Sequence, residues 1–388
     1  MGQASESVVI IGGAIVGSSI AYFLRELGFS GSVTVVERDP TYQQCSTALS
    51  AAAIRTQFGT PVNIHMSLFG AAFLRTIIDR FGTDADIGFV ERGYLILGGP
   101  ETVNARQAGI DMQRREGADV AALSPSEAKA RFPWLNVEDL GTATTAWRDE
   151  GWFDAWSLLS LIRGAARNSG VKYAKGHADH IDVTGGRVTG VKLSDGTSLA
   201  ADWCINAAGA ASAAVVRGLG ITLPVSARKR TVFSIKAPLE RAGFPMLFDT
   251  SGAWIRPEGE GFICGIAPAD DPDATGDFEP AYELLEETLW PALAHRIPLL
   301  EQLRVERAWA GHYEVNTLDH NGVIGPHDEI PNLIFATGFS GHGVMHAPAT
   351  GRGVAELITS GQYRTIDLSP LGFERIRSGM PLHETVVY

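Results

Sequence analysis

The sequence predicts an α/β (α+β) protein in which one α/β domain is interrupted twice by pieces of a second domain. Two strand–glycine–helix turns, one near each end of the chain, predict the first domain. Between them, stretches rich in strand formers carry Gly-Gly and Asp-Gly hairpin signals, which are typical of a different sheet. The 388 residues are enough for two domains or for one large fold with insertions.

The N-terminal turn follows a short β-branched run. Residues 8–11 (VVII) are too short and too β-branched for a helix and predict a buried parallel strand. Gly12, Gly13 and Gly17 come next, at the start of a helix whose free N–H groups and dipole favour an anion. Glu37 closes the second strand, where an acid hydrogen-bonds a ribose hydroxyl. This order predicts a Rossmann-like dinucleotide site; the alternative is an ordinary βαβ unit without a nucleotide.

One residue departs from the usual Gly-x-Gly-x-x-Gly pattern. Ala14 occupies the middle position, where glycine lets the backbone approach a pyrophosphate. Its methyl group either shifts the phosphate or is turned aside, and Gly13 supplies flexibility beside it.

The composition excludes several classes of function. The formal net charge is −12 without an offsetting basic cluster, which argues against nucleic acid and anionic membranes as partners. Three widely spaced cysteines indicate neither a disulfide framework nor a metal site. Residues 8–24 are uncharged but contain the glycine turn and lack a basic N-region, so they predict the nucleotide unit rather than a signal sequence. We therefore expect a cytoplasmic protein without a membrane span.

The remaining elements follow from local patterns. Ser124 with Glu127 predicts a capping box at a helix start. Residues 43–55 are rich in small side chains and predict either a surface for a flat cofactor or a small-residue helix packed on the sheet. Other helices are predicted at 63–81, 101–116, 149–168 and 281–295, and strands at 89–97, 201–208, within 224–266 and at 333–337.

The second glycine turn is TGFSGHG, at residues 337–343, between a buried strand and a helix. Two such turns in one chain suit a long cofactor with an anionic middle and a ring system at its far end. FAD fits this better than NAD, which needs only the first turn. The alternative is a tight strand–helix connection.

Four stretches together resemble the D-amino-acid oxidase-like FAD-dependent oxidoreductases, a family that includes sarcosine oxidases, glycine oxidase and dimethylglycine dehydrogenase. They are residues 8–24, the VVER strand end, CINAAGAAS at 204–212 and NLIFATGFSGHGVMHAPATGRGVAELI at 332–358. Residues 46–75 and 366–379 are most similar to the branch of FAD-dependent oxidoreductase domain-containing proteins, with iminodiacetate oxidase among the plausible bacterial relatives.

The resemblance implies a Rossmann-like FAD-binding domain interleaved with a substrate domain built on a large mixed or antiparallel sheet. It places the FAD-binding domain at 1–85, 149–222 and 311–388, and the substrate domain at 86–148 and 223–310. The residues predicted to bind FAD are Gly12, Ala14, Ile15, Val16, Gly17, Glu37, Arg38, Ser46, Thr47, Ala48, Ser50, Asp179, Ala208, Gly209, Gly338, Gly341, His342, Gly343, Val344 and Met345.

The predicted FAD is non-covalent. Some relatives attach FAD through a cysteine, and the matching place here is His312 in AGHYEVNTLD. The histidine that dimethylglycine dehydrogenase uses for attachment also has no counterpart in STALSAAA.

The reaction that the resemblance implies is hydride transfer from the carbon next to an amine to flavin N5, followed by imine hydrolysis. The predicted substrate is a small secondary amine or imino acid, an N-substituted glycine of the iminodiacetate or sarcosine type. The electron acceptor is oxygen or a quinone or electron-transfer partner. Since the amine must be neutral, the site is expected to lower its pKa.

Arginine is the expected ligand of a substrate carboxylate, because its guanidinium matches two carboxylate oxygens. Arg55 is the first candidate, since it matches the carboxylate-binding arginine of sarcosine oxidases; the alternative is a surface arginine. Arg256 is the second candidate, and it lies with Trp254 on a predicted strand of the substrate domain. Arg230, next to Lys229, is the third, although three consecutive basic residues often form a solvated edge.

Two departures from sarcosine oxidases bear on the substrate and the acceptor. Met345 replaces their second carboxylate-binding lysine, and the lysine that activates oxygen has no clear counterpart near 261–265. Tyr313 and His346 are predicted to line the pocket instead, with a structural role as the alternative for His346.

Two classes of function remain open. The first is an FAD-dependent amine or imino-acid oxidoreductase, with a proline or D-amino-acid dehydrogenase as a variant and a hydroxy-acid oxidase as a weaker one. The second is an FAD-containing binding or assembly factor with little turnover, as a mitochondrial member of the branch suggests.

Overall fold

The structure, a computed structural model, describes residues 6–384 and confirms the α/β (α+β) class. Its strands are β1 (Ser7–Ile11), β2 (Ser32–Glu37), β3 (Ala53–Ile54), β4 (Tyr94–Gly98), β5 (Val120–Leu123), β6 (Thr142–Ala146), β7 (Gly151–Trp152), β8 (Lys172–Lys175), β9 (Ala178–Thr184), β10 (Arg187–Leu193), β11 (Ser198–Ala200), β12 (Trp203–Asn206), β13 (Val225–Lys236), β14 (Met246–Phe248), β15 (Trp254–Glu258), β16 (Gly261–Gly265), β17 (Arg304–Asn316), β18 (Val323–Pro326) and β19 (Leu333–Thr337).

The helices are α1 (Ile15–Glu26), α2 (Pro61–Arg75), α3 (Ile77–Phe81), α4 (Val103–Arg115), α5 (Pro125–Arg131), α6 (Ala155–Asn168), α7 (Ser212–Arg217), α8 (Tyr282–Leu284), α9 (Trp290–Arg296), α10 (Gly343–Ser360) and α11 (Glu374–Ser378). A π-helical turn, Leu285–Leu289, joins α8 to α9. Short 3-10 turns lie at Pro100–Thr102, Gly209–Ala211, Pro298–Gln302 and Ser369–Leu371.

The first sheet has the strand order β18-β19-β12-β1-β2-β8. Its pairs are parallel except β18 with β19. The buried β-branched residues of β1 explain its central position, because a parallel strand is covered on both faces. Helix α1 packs on α10 so closely that a Cβ added at Gly351 would lie 2.7 Å from the Ser19 carbonyl carbon. The two helices that follow the two glycine turns are therefore neighbours.

The second sheet has the order β17-β13-β16-β15-β14-β4-β6-β5 and is antiparallel apart from the β14–β4 pair. It is the large mixed sheet that the family resemblance implies. One of its faces packs against α9 and the segment before α9. The residues between them form a separate hydrophobic core, which includes Phe233, Leu247 and Leu293.

Strand β17 joins the two parts of the molecule. It pairs along its length with β13, and near its end Val315 bridges Phe339 in the second glycine turn. The predicted domain division between residues 310 and 311 falls inside this strand.

Most local predictions agree with the structure. Ser124 and Glu127 form the predicted capping box, and Gly185 and Gly186 form the predicted Gly-Gly turn with positive φ angles. The segment 43–55 forms turns and β3 rather than the alternative small-residue helix, and the helix predicted to begin at 149 begins at Ala155. Within residues 6–384, no helix has the length and apolar character needed to cross a bilayer.

Candidate active site

A long cleft lies between the N-terminal glycine turn and the start of α10. It contains about 1130 Å³ of space, part of which is open to solvent, and its lining includes both glycine turns, the end of β2 and the end of β17. Fourteen of the twenty residues predicted to bind FAD line it: Gly12, Ala14, Ile15, Val16, Glu37, Arg38, Ser46, Thr47, Ser50, Ala208, Gly209, Gly341, Gly343 and Val344.

The N-terminal glycines allow close packing beneath the cleft. Gly12 has φ +101°, and a Cβ there would lie 2.2 Å from the Ala207 carbonyl oxygen of the segment after β12. A Cβ at Gly17 would lie 1.9 Å from the Gly12 carbonyl oxygen. These two positions therefore require glycine for strand–helix packing, whereas Ala14 is the N-cap residue of α1 at φ −70°, which alanine adopts without strain.

Glu37 is held at the cleft by backbone donors. Its Oε2 accepts a hydrogen bond of 2.8 Å from the Gly13 N–H, and its Oε1 accepts one of 2.9 Å from the Asp39 N–H. Because each carboxylate oxygen can accept a second hydrogen bond, Glu37 can also accept hydrogen bonds from ribose hydroxyl groups. The first turn of α1 and this carboxylate together fit the diphosphate and ribose of a dinucleotide.

The other end of the cleft contains Glu314, which the sequence interpretation did not single out. Its carboxylate accepts hydrogen bonds from the Thr337 hydroxyl at 2.8 Å and the Gly338 N–H at 3.0 Å. Burial raises the pKa of Glu314 to about 7, against the effect of these donors. Glu314 thus braces the second glycine turn where α10 begins.

Two potential attachment side chains, His312 and Cys45, also line this cleft. The centre of the His312 ring lies 4.2 Å from that of the Phe278 ring, with the two planes tilted by 32°, and its Nε2 lies 2.7 Å from the Asp277 carbonyl oxygen. Burial raises the pKa of the Cys45 thiol to about 11, which leaves it protonated and a poor nucleophile at neutral pH.

The cleft adjoins a second, smaller cavity. The two share Ser50, Tyr313, Gly341 and Val344. Much of the cavity wall is aromatic or thioether, and the polar groups include two arginines and a histidine. The remaining lining residues are Ala51, Ala52, Ala53, Arg55, Tyr94, Arg230, Met246, Phe248, Gly252, Trp254, Ala267, Ser340, His342 and Met345.

Arg55 is 3% exposed, and neighbouring groups hold its guanidinium in place. Its guanidinium donates to the Gln57 carbonyl oxygen, lies 3.2 Å from His342 Nε2, and stands 3.8 Å above the Phe58 ring. Burial and the neighbouring Arg55 charge hold the pKa of His342 well below its usual range. A neutral His342 whose Nε2 accepts from Arg55 carries its proton on Nδ1.

Arg230 also lines the cavity, 5.2 Å from the centre of the Tyr313 ring. Its two terminal nitrogens each donate at 2.8 Å to Asp271, and the adjacent Lys229 pairs with Asp277 at 2.6 Å. The basic run is therefore not a solvated edge. It fastens the loop of residues 267–281 over the cleft and the cavity.

Several predicted residues lie elsewhere. Arg256 donates to the Ala51 carbonyl oxygen at 2.6 and 3.1 Å and faces a neighbouring outer cleft, which Ala48 also lines. The His346 ring lies behind Phe58 against Ser67, where burial and Arg55 lower its pKa to about 3. Asp179 is exposed on β9. Tyr313 and Trp254, in contrast, line the cavity as predicted.

The chain is similar to known flavoproteins over nearly its whole length. The family model described as "DAO: FAD dependent oxidoreductase" matches residues 7–357. FAD-dependent oxidoreductase domain-containing protein 1 of Xenopus laevis is 41% identical, over 97% of this chain and 84% of that protein. Mitochondrial sarcosine dehydrogenase of Homo sapiens is 25% identical, over 92% of this chain and 40% of that protein.

Solved structures share the fold. L-proline dehydrogenase from P. horikoshii superposes with a TM-score of 0.87 at 28% identity, covering 97% of this chain and 99% of the other. Iminodiacetate oxidase from Chelativorans sp. BNC1 has a TM-score of 0.79 at 20% identity, covering 94% and 98% of the two chains.

Proposed function

Because the chain belongs to the DAO family of FAD-dependent oxidoreductases, we propose that it oxidises the C–N bond of a small secondary amino acid with one carboxylate group. The observation that supports this most is the position of Arg55. It is buried in a cavity that opens into the predicted FAD cleft. The residues shared by cleft and cavity mark the place where cofactor and substrate would meet.

The cofactor site is proposed from the fit of its donors. The first turn of α1 would hold the diphosphate and Glu37 the adenosine ribose, while Gly341, Gly343 and Val344 would surround the flavin end. When bound, FAD accepts the hydride that the substrate carbon releases. We propose that it is held non-covalently.

The substrate carboxylate is assigned to Arg55. A guanidinium binds a carboxylate through two parallel hydrogen bonds, and burial strengthens these bonds by excluding water. Arg230 lines the same cavity but already pairs with Asp271. One substrate carboxylate therefore suits the cavity better than two.

The amine would lie near several large side chains with apolar surface. Tyr94, Met246, Phe248 and Trp254 would displace part of its hydration shell, which disfavours the charged ammonium form. The positive charge of Arg55, which also lines the cavity, acts in the same direction. The cavity therefore favours the neutral amine, from which hydride leaves.

A second candidate is oxidation of proline itself, since the L-proline dehydrogenase structure is 28% identical to this chain. Proline is also a secondary amine with one carboxylate, so the cavity argument applies to it unchanged. An N-substituted glycine such as sarcosine remains the first candidate class, and iminodiacetate, with two carboxylates, fits less well.

An anaerobic screen tests the proposal. The purified holoprotein is mixed with N-substituted glycines, L-proline and D-amino acids, and loss of the oxidised flavin absorbance is followed. We expect bleaching by at least one secondary monocarboxylic amine, after which oxygen and a quinone are compared as acceptors. If every compound leaves the flavin oxidised, the chain is better explained as an FAD-containing binding or assembly factor.

A further inference from the structure

Glu150 is a buried carboxylate next to the candidate site that the proposed reaction does not use. It is 0% exposed and follows β6 in the chain. Its Oε1 accepts hydrogen bonds from the Thr56 N–H at 2.7 Å, the Thr56 hydroxyl at 2.9 Å and the Gln57 N–H at 3.1 Å. Its Oε2 accepts from Gln57 Nε2 at 2.9 Å and from the Tyr94 N–H at 3.2 Å.

These contacts require an acceptor at both oxygens. An ionised carboxylate offers about four lone-pair positions and no donor, whereas an amide offers an NH₂ group on one side. In a glutamine at this position, the NH₂ group would replace one of the two oxygens. In either orientation its N–H groups would face other donors, which are those of Thr56 and Gln57 on one side and those of Gln57 and Tyr94 on the other.

The donors belong to two segments that each supply a residue to the lining of the cavity, Arg55 in one and Tyr94 in the other. Thr56 and Gln57 directly follow Arg55, and Arg55 itself donates to the Gln57 carbonyl oxygen. Tyr94 lines the cavity from the eight-stranded sheet. One carboxylate thus holds the Thr56 and Gln57 groups next to Arg55 and links them to β4.

We propose that Glu150 is a positioning residue that holds Arg55 in the orientation that receives the substrate carboxylate. This inference rests on the proposed function, in which Arg55 binds that carboxylate. Glu150 acts through the 55–57 segment and does not touch the substrate.

The test is a double-mutant cycle in the holoprotein with a ligand that is not oxidised. Acetate is titrated while the flavin absorbance shift is recorded, and acetamide serves as the uncharged ligand. We expect Arg55→Ala to weaken acetate binding at least about tenfold and Glu150→Gln to weaken it about tenfold. In the Arg55→Ala background, Glu150→Gln is expected to have no further effect, because the two changes remove the same interaction.

Glu356→Gln is the matched control. Glu356 is 2% exposed, and its carboxylate also accepts several hydrogen bonds, including those from the Arg364 N–H at 2.7 Å and the Thr365 N–H at 3.0 Å. It lies on α10, where it pairs with Arg352, and it does not line the cavity. It should leave acetate affinity unchanged. Glu150→Asp, which keeps the charge but shortens the reach, should fall between wild type and Glu150→Gln and covers the case in which Glu150→Gln does not fold.

The outcomes separate the two proposals. If Arg55→Ala leaves acetate binding unchanged, the carboxylate assignment of the proposed function is wrong. If Arg55→Ala weakens binding but the Glu150 variants do not, the positioning role is wrong. Equal weakening of acetate and acetamide, or an undiminished Glu150 effect in the Arg55→Ala background, would also overturn it, because a general packing defect has those consequences.

Discussion

Asp271 and Arg230 form a two-bond carboxylate–guanidinium pair inside the wall of the candidate substrate cavity, with both donor–acceptor distances at 2.8 Å. Arg230 lies on β13, while Asp271 belongs to the loop between β16 and α8. The chain therefore supplies its own carboxylate to an arginine that lines the cavity.

Removing that carboxylate should change the substrate preference. In Asp271→Asn, Arg230 loses its ionised partner and can bind a second substrate carboxylate. We expect the ratio of kcat/KM for iminodiacetate over sarcosine to rise about tenfold, as for one charged hydrogen-bonding partner. Steady-state kinetics with both compounds measure the ratio.

Asp273→Asn is the control for this change. Asp273 lies in the same loop, but its carboxylate accepts hydrogen bonds from Thr275 and from the backbone of Ala227 rather than from Arg230. It should leave the ratio unchanged. An equal rise in both variants would show that loop mobility, rather than the charge on Arg230, governs the preference.

Glu314 predicts a pH dependence of stability with a definite sign. Its pKa is raised from 4.5 to about 7 by burial. Between these values the native state keeps a proton that the unfolded state has released, so stability falls as pH rises through this window. Above pH 7 both states are ionised, and the contribution has been lost.

The measurement compares urea unfolding of the FAD-free wild type and Glu314→Gln from pH 4 to 8. Depressed carboxylates such as Asp139 act in the opposite direction, but they are common to both proteins and cancel in the difference. We expect the wild type to lose stability relative to the variant between pH 4.5 and 7, and then to run parallel with it. A constant difference across the whole range would contradict a raised pKa.

Gly17→Ala should disrupt the packing of α1 on the glycine turn that follows β1. Its new Cβ would meet the Gly12 carbonyl oxygen at 1.9 Å, and neither backbone can move without shifting α1. We expect a loss of about 3 kcal/mol or more and little bound FAD. Urea unfolding and the flavin content of the purified protein measure the two effects.

Gly164→Ala is the opposite case. Gly164 lies inside α6, and among the described residues no atom comes within 4 Å of a Cβ placed there. The substitution should be neutral or stabilise by up to about 1 kcal/mol, through the helix propensity of alanine. Similar losses in both variants would argue against the close contact at Gly17.

The flavin should leave the polypeptide in acid. His312 is engaged with Phe278 and Asp277, and burial keeps the Cys45 thiol protonated. After trichloroacetic acid precipitation we expect all flavin in the supernatant, for the wild type and Cys45→Ser alike. Flavin in the pellet of the wild type, absent from the pellet of Cys45→Ser, would identify Cys45 as an attachment point.

The elements around the cofactor could be predicted from the sequence because their signals are local. A short apolar strand, a glycine turn and the start of a helix follow each other within twenty residues at each end of the chain, and the structure brings both turns to one cleft. Arg55 and Trp254, which are candidate site residues from the sequence, both line the cavity.

The contacts that the sequence did not reveal join residues that are distant in the chain. Glu150 meets Thr56 across 94 positions, and Arg230 meets Asp271 across 41. The family resemblance makes Arg256 a candidate carboxylate ligand because of its neighbours in the chain, but its guanidinium donates to the Ala51 carbonyl oxygen, 205 positions away. Such pairings arise from the sheet order and have no local pattern.

The position of β1 at the centre of the first sheet affects how the protein is made. Its partner β2 follows after about twenty residues, but its other partner, β12, begins at residue 203, and β19 with the second glycine turn begins at residue 333. During synthesis, the edge of β1 that pairs with β12 therefore stays unpaired until more than half of the chain has been made. Such delayed pairing exposes the nascent chain to aggregation, so the yield of native protein in cells should depend on chaperones and on translation speed.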